Sequence, residues 1–402
     1  MTAQSRQKIL VWQPYFMGGG AEAVALWILE ALGQDYDVTL QTLSQVSFPW
    51  LDAMYYTNLA QKGIKLDIQL KQWMRLPAYF LISQNKILRM ALIYWTILAL
   101  KKKAAEYDVV FSAFNGLDMG KIGIQYLHWV HVVENDYANA TPWEKALMKW
   151  IDFSHDRLRQ NFSIANSQYT ADRVQSTYGI PSKVIFPPVT TAIDALPWQE
   201  KENAFLCSGR IVQPKQTHRA INILRVVREK GFDVKLYITG GGGGVYAQKY
   251  LRKLRKIVRK NQDWVYLYED LPYKDYLDVL ARCRYGIHYK PEPFGISIAE
   301  MLKADMIPFV RSKGGQVEIV GSDNKGLLFE NEADAVEKII RVLSDQDAQI
   351  NMLKTLEQRK MLFSTQHFVE EIQATVKQYL ATVERPGDCA QDSVAHASEV
   401  QS

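Results

Sequence analysis

Cysteine is scarce in this chain: three in 402 residues, Cys207, Cys283 and Cys389. They lie far apart and form no CxxC pair, which argues against a zinc site or a disulfide framework and suits a reducing cytoplasm. The leading stretch MTAQSRQKILVWQPYF lacks the apolar core of a secretory signal. The longest apolar run of the first half, MALIYWTILAL (90–100), is too short to span a bilayer. A dinucleotide fingerprint is missing as well. Gly18-Gly19-Gly20 is followed by Ala21-Glu22-Ala23, so GxGxxG is not met, and no acid ends a well-placed second strand. A nicotinamide dehydrogenase is thereby disfavoured.

What is present is a globular composition, 48% hydrophobic and 23% charged, with a net charge of +5 that mildly favours anionic partners. At this length two domains are expected. Short runs rich in Val, Ile, Tyr and Phe alternate with helical stretches from end to end. They include 8–16, 37–43, 109–114, 124–131 and 163–167, then 204–210, 234–241, 265–271, 285–291 and 307–315. They lack strict alternation, so they predict strands buried on both faces of parallel sheets. The pattern predicts an α/β chain of two doubly wound domains facing a cleft, residues 1–188 and 204–360. Prolines and polar residues mark a linker at 189–203. A C-terminal helix is expected at 361–385, able to cross back to the first domain, and a disordered tail at 386–402.

Residues 62–103 depart from this pattern. Nine basic side chains stand there against one acid, Asp67, interleaved with Trp73, Tyr79, Phe80, Tyr94 and Trp95. A basic aromatic insert reads as an interfacial membrane element. The alternative is a solvated helical hairpin over one domain edge. The basic stretch KYLRKLRKIVRK (249–260) carries one apolar stripe and reads as a solvated helix face, so nucleic acid is not an expected partner.

Three stretches carry chemistry. In HYKPEPFGISIAEM (288–301), a strand gives way to a helix, Glu292 and Glu300 stand eight positions apart, and Gly295 lets a ligand approach the backbone. A phosphate on the helix N-terminus with sugar hydroxyls on either side would use all three features. In FLCSGRIVQPKQTH (205–218), Arg210 and Lys215 follow one strand end and could clamp a diphosphate. In YFMGGGAEAVAL (15–26), three glycines expose backbone donors before a helix. Each stretch alone is as consistent with solvated carboxylates or an ordinary polar loop. Asp35-Tyr36-Asp37 and Asp345-Gln346-Asp347 do not follow strand ends, so they read as turn chemistry rather than metal ligands.

Taken together, GGGAE (18–22), NSQYTADRV (166–174), FPPV (186–189), SGRIVQPK (208–215), EPFGISIAE (292–300) and GGQVEIVG (314–321) resemble the retaining family 4 glycosyltransferases of the GT-B fold. Within them, the chain looks most similar to GDP-mannose-using lipid-linked-oligosaccharide mannosyltransferases. The resemblance implies a metal-independent hexosyl transfer to a lipid-linked or polysaccharide acceptor at the inner face of a membrane. The donor would be a nucleotide-diphosphate sugar, with GDP-mannose favoured and a UDP-sugar as the other option; no cofactor is implied. It also implies roles. Arg210 and Lys215 would bind the diphosphate, Glu292 the donor sugar and Glu300 the ribose. Gly18, Gly19 and Gly20 would close over the phosphates, and Phe294, Gly295 and Ile296 would offer backbone to diphosphate or sugar. His128, rather than His131, would sit beside the donor sugar. Two other readings are a sugar-nucleotide epimerase and a non-catalytic sugar-nucleotide-binding subunit. Both are disfavoured, the first because the motifs are those of transferases, the second because all four of Arg210, Lys215, Glu292 and Glu300 are present.

Overall fold

Strands that are apolar on both faces need a helical layer on each side, and the chain supplies them. The computed structural model describes residues 6–16, 19–70, 86–130, 141–189, 195–241 and 247–383. The first half lays down β1 (Lys8–Trp12), α1 (Gly20–Leu32), β2 (Asp37–Thr42), α2 (Phe48–Tyr55), β3 (Lys65–Ile68) and α3 (Lys86–Lys103). It continues with β4 (Val109–Ser112), β5 (Ile124–Leu127), α4 (Pro142–Trp150), α5 (His155–Gln160), β6 (Phe162–Ala165), α6 (Gln168–Tyr178) and β7 (Lys183–Val184). These strands form one parallel sheet in the order β3-β2-β1-β4-β5-β6-β7.

The second half lays down β8 (Glu202–Ser208), α7 (His218–Glu229), β9 (Lys235–Gly240), α8 (Gln248–Arg259), β10 (Val265–Glu269), α9 (Tyr273–Arg282) and β11 (Cys283–His288). Then come α10 (Ile296–Lys303), β12 (Ile307–Arg311), α11 (Gln316–Val320), β13 (Leu328–Phe329), α12 (Glu332–Leu343), α13 (Gln346–Glu357) and α14 (Thr365–Val383). The second sheet is also parallel, in the order β10-β9-β8-β11-β12-β13. Both domains are doubly wound and Rossmann-like, and together they make the GT-B fold.

Each sheet has its own core. Ile9, Val11, Val109 and Phe111 pack under α1 in the first, and Phe205, Leu236, Ile287 and Phe309 pack together in the second. Helix α14 belongs to the first core although it follows the second domain. Its Phe368, Ile372 and Val376 are buried beside α1, and the Tyr379 hydroxyl donates to the Ile122 carbonyl at 2.6 Å. The chain thus returns to the domain in which it began.

The described part of the basic insert packs on the first domain. Residues 71–85 lie outside the described residues. The run 90–100 belongs to α3, whose Tyr94, Ile97 and Leu100 are buried against Leu10, Trp12 and Val110. Lys101 pairs with fully buried Asp118 at 2.6 Å and donates to the carbonyls of Ile151 and Asp152, while Lys103 pairs with Asp67 at 2.6 Å. Of the three consecutive lysines only Lys101 is drawn inward; Lys103 is paired at the surface and Lys102 is exposed. Among the described residues no helix is long and apolar enough to cross a membrane. The Asp345 carboxylate caps α13, accepting from the Ala348 amide at 2.9 Å. The expected tail, 386–402, lies outside the described residues.

Candidate functional site

Parallel sheets leave their carboxyl ends as the natural place for a ligand, because loops and helix N-termini converge there. The two domains bring those ends together around a cavity of about 610 Å³. The first domain contributes Gly19, Gly20, Met54 and Tyr55. The second contributes the ends of β8, β9 and β10, the start of α9, and Ile296, Ser297 and Glu300 of α10.

Two helices point their N-termini into this space. Neither α1 nor α10 has a side-chain cap, so their leading N–H groups stay available to a ligand. Gly295 begins α10 at φ 111°, a backbone conformation that an L side chain rarely adopts. The two N-termini touch: a Cβ on Gly20 would fall 2.2 Å from Cδ1 of Ile296. Positive helix ends from opposite domains thus meet at one point, which is an arrangement for a multiply charged anion. Gly18 and His131 lie outside the described residues.

Cations and acids complete the site. Arg210 is exposed and lines the cavity, and its guanidinium makes no ion pair or hydrogen bond with another described residue. Lys215, in the turn after β8, faces a narrower pocket that shares Ser208, Gly209 and Arg210 with the large one. There its ammonium meets Glu292 at 2.8 Å, and His288 Nε2 stands 3.3 Å from the same carboxylate oxygen. Burial alone would raise the Glu292 carboxyl. The His288 hydrogen bond and the Lys215 charge outweigh it and hold the group at about 2. His288 itself is pushed down by burial, so near neutrality it is an uncharged donor and Lys215 supplies the standing charge. The Glu292 backbone is fixed too: its N–H donates to Gln316 Oε1 at 2.7 Å and its carbonyl accepts from the Gly315 N–H at 2.9 Å.

Glu300 lies one turn inside α10 and faces the large cavity. Burial lifts its carboxyl to about 7, although the Tyr276 hydroxyl donates to it at 2.7 Å. The two acids of the 292–300 stretch are therefore opposites. One is locked as a carboxylate in an ion pair; the other is poised near neutrality with a single donor.

The remaining predicted residues sit apart from the cavity. His128 follows β5 at the carboxyl edge of the first sheet, 6% exposed, with Nε2 bonded to the Ala113 carbonyl at 2.8 Å. Burial drives it down to about 4, so it is neutral. The Phe294 ring is buried against Phe186 and Phe363, leaving only its backbone to the junction. Tyr55, Tyr273, Tyr276 and His288 were not foreseen. Tyr55 ends α2 and Tyr273 and Tyr276 start α9, away from the motifs, whereas His288 heads the 288–301 stretch four residues before Glu292, a spacing that could have flagged it.

Residues 189–359 match the family model of glycosyl transferases group 1. The match spans the second domain, which is that of a group 1 glycosyl transferase. No curated protein sequence matches it. Among solved structures, the chain resembles Anabaena HepE in complex with UDP-glucose at 16% identity and TM-score 0.63, over 92% of this chain and 100% of that one. It also resembles a glycosyltransferase from Rickettsia africae, at 15% identity and TM-score 0.60 over 94% and 99%. A third likeness is to α,α-trehalose 6-phosphate synthase from Burkholderia multivorans, at 11% identity and TM-score 0.62 over 94% and 100%. At these identities the likeness is one of fold.

Proposed function

We propose that this enzyme moves a hexosyl unit from a nucleotide-diphosphate sugar to a glycan or lipid-linked acceptor, with retention at the anomeric carbon. The observation that carries the reading is the meeting of two uncapped helix N-termini beside unpaired Arg210, across the domain cleft. Departure of a nucleoside diphosphate leaves positive charge on the sugar and negative charge on phosphate. Fixed dipoles and cations stabilise that separation without having to reorganise. Arg210 would hold the diphosphate. Lys215 would exchange part of its bond with Glu292 for a phosphate oxygen, which frees Glu292 to accept from sugar hydroxyls. Glu300 would accept from the ribose. His128, neutral and held by Ala113, would approach the sugar from the first domain. Retention rests on the family 4 resemblance of the motifs.

Two donors have support. The motif pattern favours GDP-mannose, and the fold shared with HepE, solved with UDP-glucose, favours a UDP-hexose. One panel addresses both. UDP-glucose and GDP-mannose are each titrated against the melting of wild type and Lys215→Ala. The true donor stabilises wild type by about 2.7 kcal/mol at a hundredfold excess over Kd. Lys215→Ala leaves the Glu292 carboxylate without its charge partner, so it should melt lower without ligand while staying folded, and lose transfer by roughly two to three orders of magnitude. Full transfer in that variant, or no shift with any nucleotide sugar, overturns the reading.

A further inference from the structure

Strand β6 ends at Ala165, and the next four residues, Asn166 to Tyr169, touch both halves of the site. The Asn166 amide donates to the backbone carbonyl of His128 at 2.7 Å. The Ser167 hydroxyl caps α6 by accepting from the Thr170 N–H at 3.0 Å, and donates across the cleft to the carbonyl of Pro293 at 2.6 Å. Pro293 directly follows Glu292. From the second domain, Glu318 of α11 reaches back. Its two oxygens accept the N–H groups of Gln168 and Tyr169, at 2.7 and 2.8 Å. One carboxylate of the second domain thus holds the two leading amides of a first-domain helix.

Helix α11 is itself anchored. Gly315 and Gln316, at its start, hold the Glu292 backbone, and the Arg359 guanidinium donates to the Glu318 and Ile319 carbonyls. A half-buried carboxylate at an interface carries a desolvation cost that apolar packing would avoid. What a two-pronged contact adds is direction: both oxygens must meet adjacent amides, so separation and rotation are set together. Burial raises the Glu318 carboxyl, while the two amides pull it the other way.

We propose that Glu318 is a positioning residue which, with Ser167, sets the domain arrangement that brings the Glu292 loop opposite the His128 edge. The clamp is independent of any reaction; its effect on turnover rests on the glycosyl transfer proposed above. The test compares wild type with Glu318→Ala, Glu318→Gln and Ser167→Ala, each first checked for folding by melting. In Glu318→Ala, exchange protection of the Gln168 and Tyr169 amides should fall roughly ten- to a hundredfold, and turnover by a similar factor. Affinity for the nucleotide sugar should stay within about threefold, which places the loss in kcat. Glu318→Gln keeps one acceptor oxygen and should recover part of both; Ser167→Ala should lose turnover as Glu318→Ala does.

Unchanged amide exchange in Glu318→Ala overturns the clamp. Lost protection with normal turnover overturns the positioning role. A wild-type chain that turns over no nucleotide sugar overturns glycosyl transfer alone. The clamp is then decided by small-angle scattering, where Glu318→Ala must enlarge the radius of gyration and an unchanged radius refutes it.

Discussion

Glu300 is the cavity group that a nucleotide sugar would feel as a proton balance. Its folded value is about 7 against an ordinary 4.5. Between those values the folded chain keeps a proton that the unfolded chain has lost, so this group's contribution to stability falls as pH rises. The fall amounts to about 3 kcal/mol and is complete above 7. Ribose hydroxyls donate, and they need the ionised form as acceptor. Binding therefore competes with protonation below 7. We expect affinity for a nucleotide sugar to rise from pH 5.5 to 7.5 by about 25-fold and then level. In Glu300→Gln the affinity should be lower and flat, as measured by calorimetric titration at each pH. A flat wild-type profile would count against Glu300 as the ribose acceptor. The two acids were legible because their spacing set both at one strand–helix junction. The environment that makes them differ was not. Tyr276 reaches Glu300 from a helix 24 residues earlier, and Lys215 reaches Glu292 from another strand end.

Helices and central strands were legible from periodicity, and the C-terminal helix expected at 361–385 runs from Thr365 to Val383. Strands β3, β7 and β13 were not. They are four, two and two residues long and pair at or near sheet edges, too short for any period to show. The basic insert was legible only in part. A local charge run is blind to Asp118, which takes Lys101 into the interior. A lipid contact is testable at α4. Its Trp143 and Trp150, seven positions apart and therefore on one face, are 48% and 51% exposed, with exposed Lys149 beside them. Paired exposed indoles with a cation suit an anionic lipid interface. If a lipid-linked acceptor is used, wild type should co-sediment with vesicles containing anionic lipid and less with neutral ones. Replacing Trp143 and Trp150 together by Ser should reduce binding about tenfold without lowering the melting temperature. Equal sedimentation of both proteins would exclude α4 as the contact.

At the scale of the whole molecule, the strand–helix alternation made the two doubly wound domains legible. Their mutual seating was not, because it depends on single atoms meeting across the cleft. Ser167 against Pro293 and Glu318 against α6 are such contacts, and so is Gly20 against Ile296. The last of these lends itself to a direct test. Gly20 is the first residue of α1, so its backbone tolerates any side chain; only the neighbour objects. A single Cβ could be relieved by turning the end of Ile296. The two γ-carbons of Val could not, and they would hold the α1 and α10 N-termini apart. The anion site shared by those termini would then open while each core stayed intact. Gly20→Val should keep the wild-type circular dichroism, enlarge the radius of gyration, and weaken nucleotide-sugar binding by about tenfold. Wild-type affinity in that variant would mean that the α1 N-terminus does not take part in binding the diphosphate.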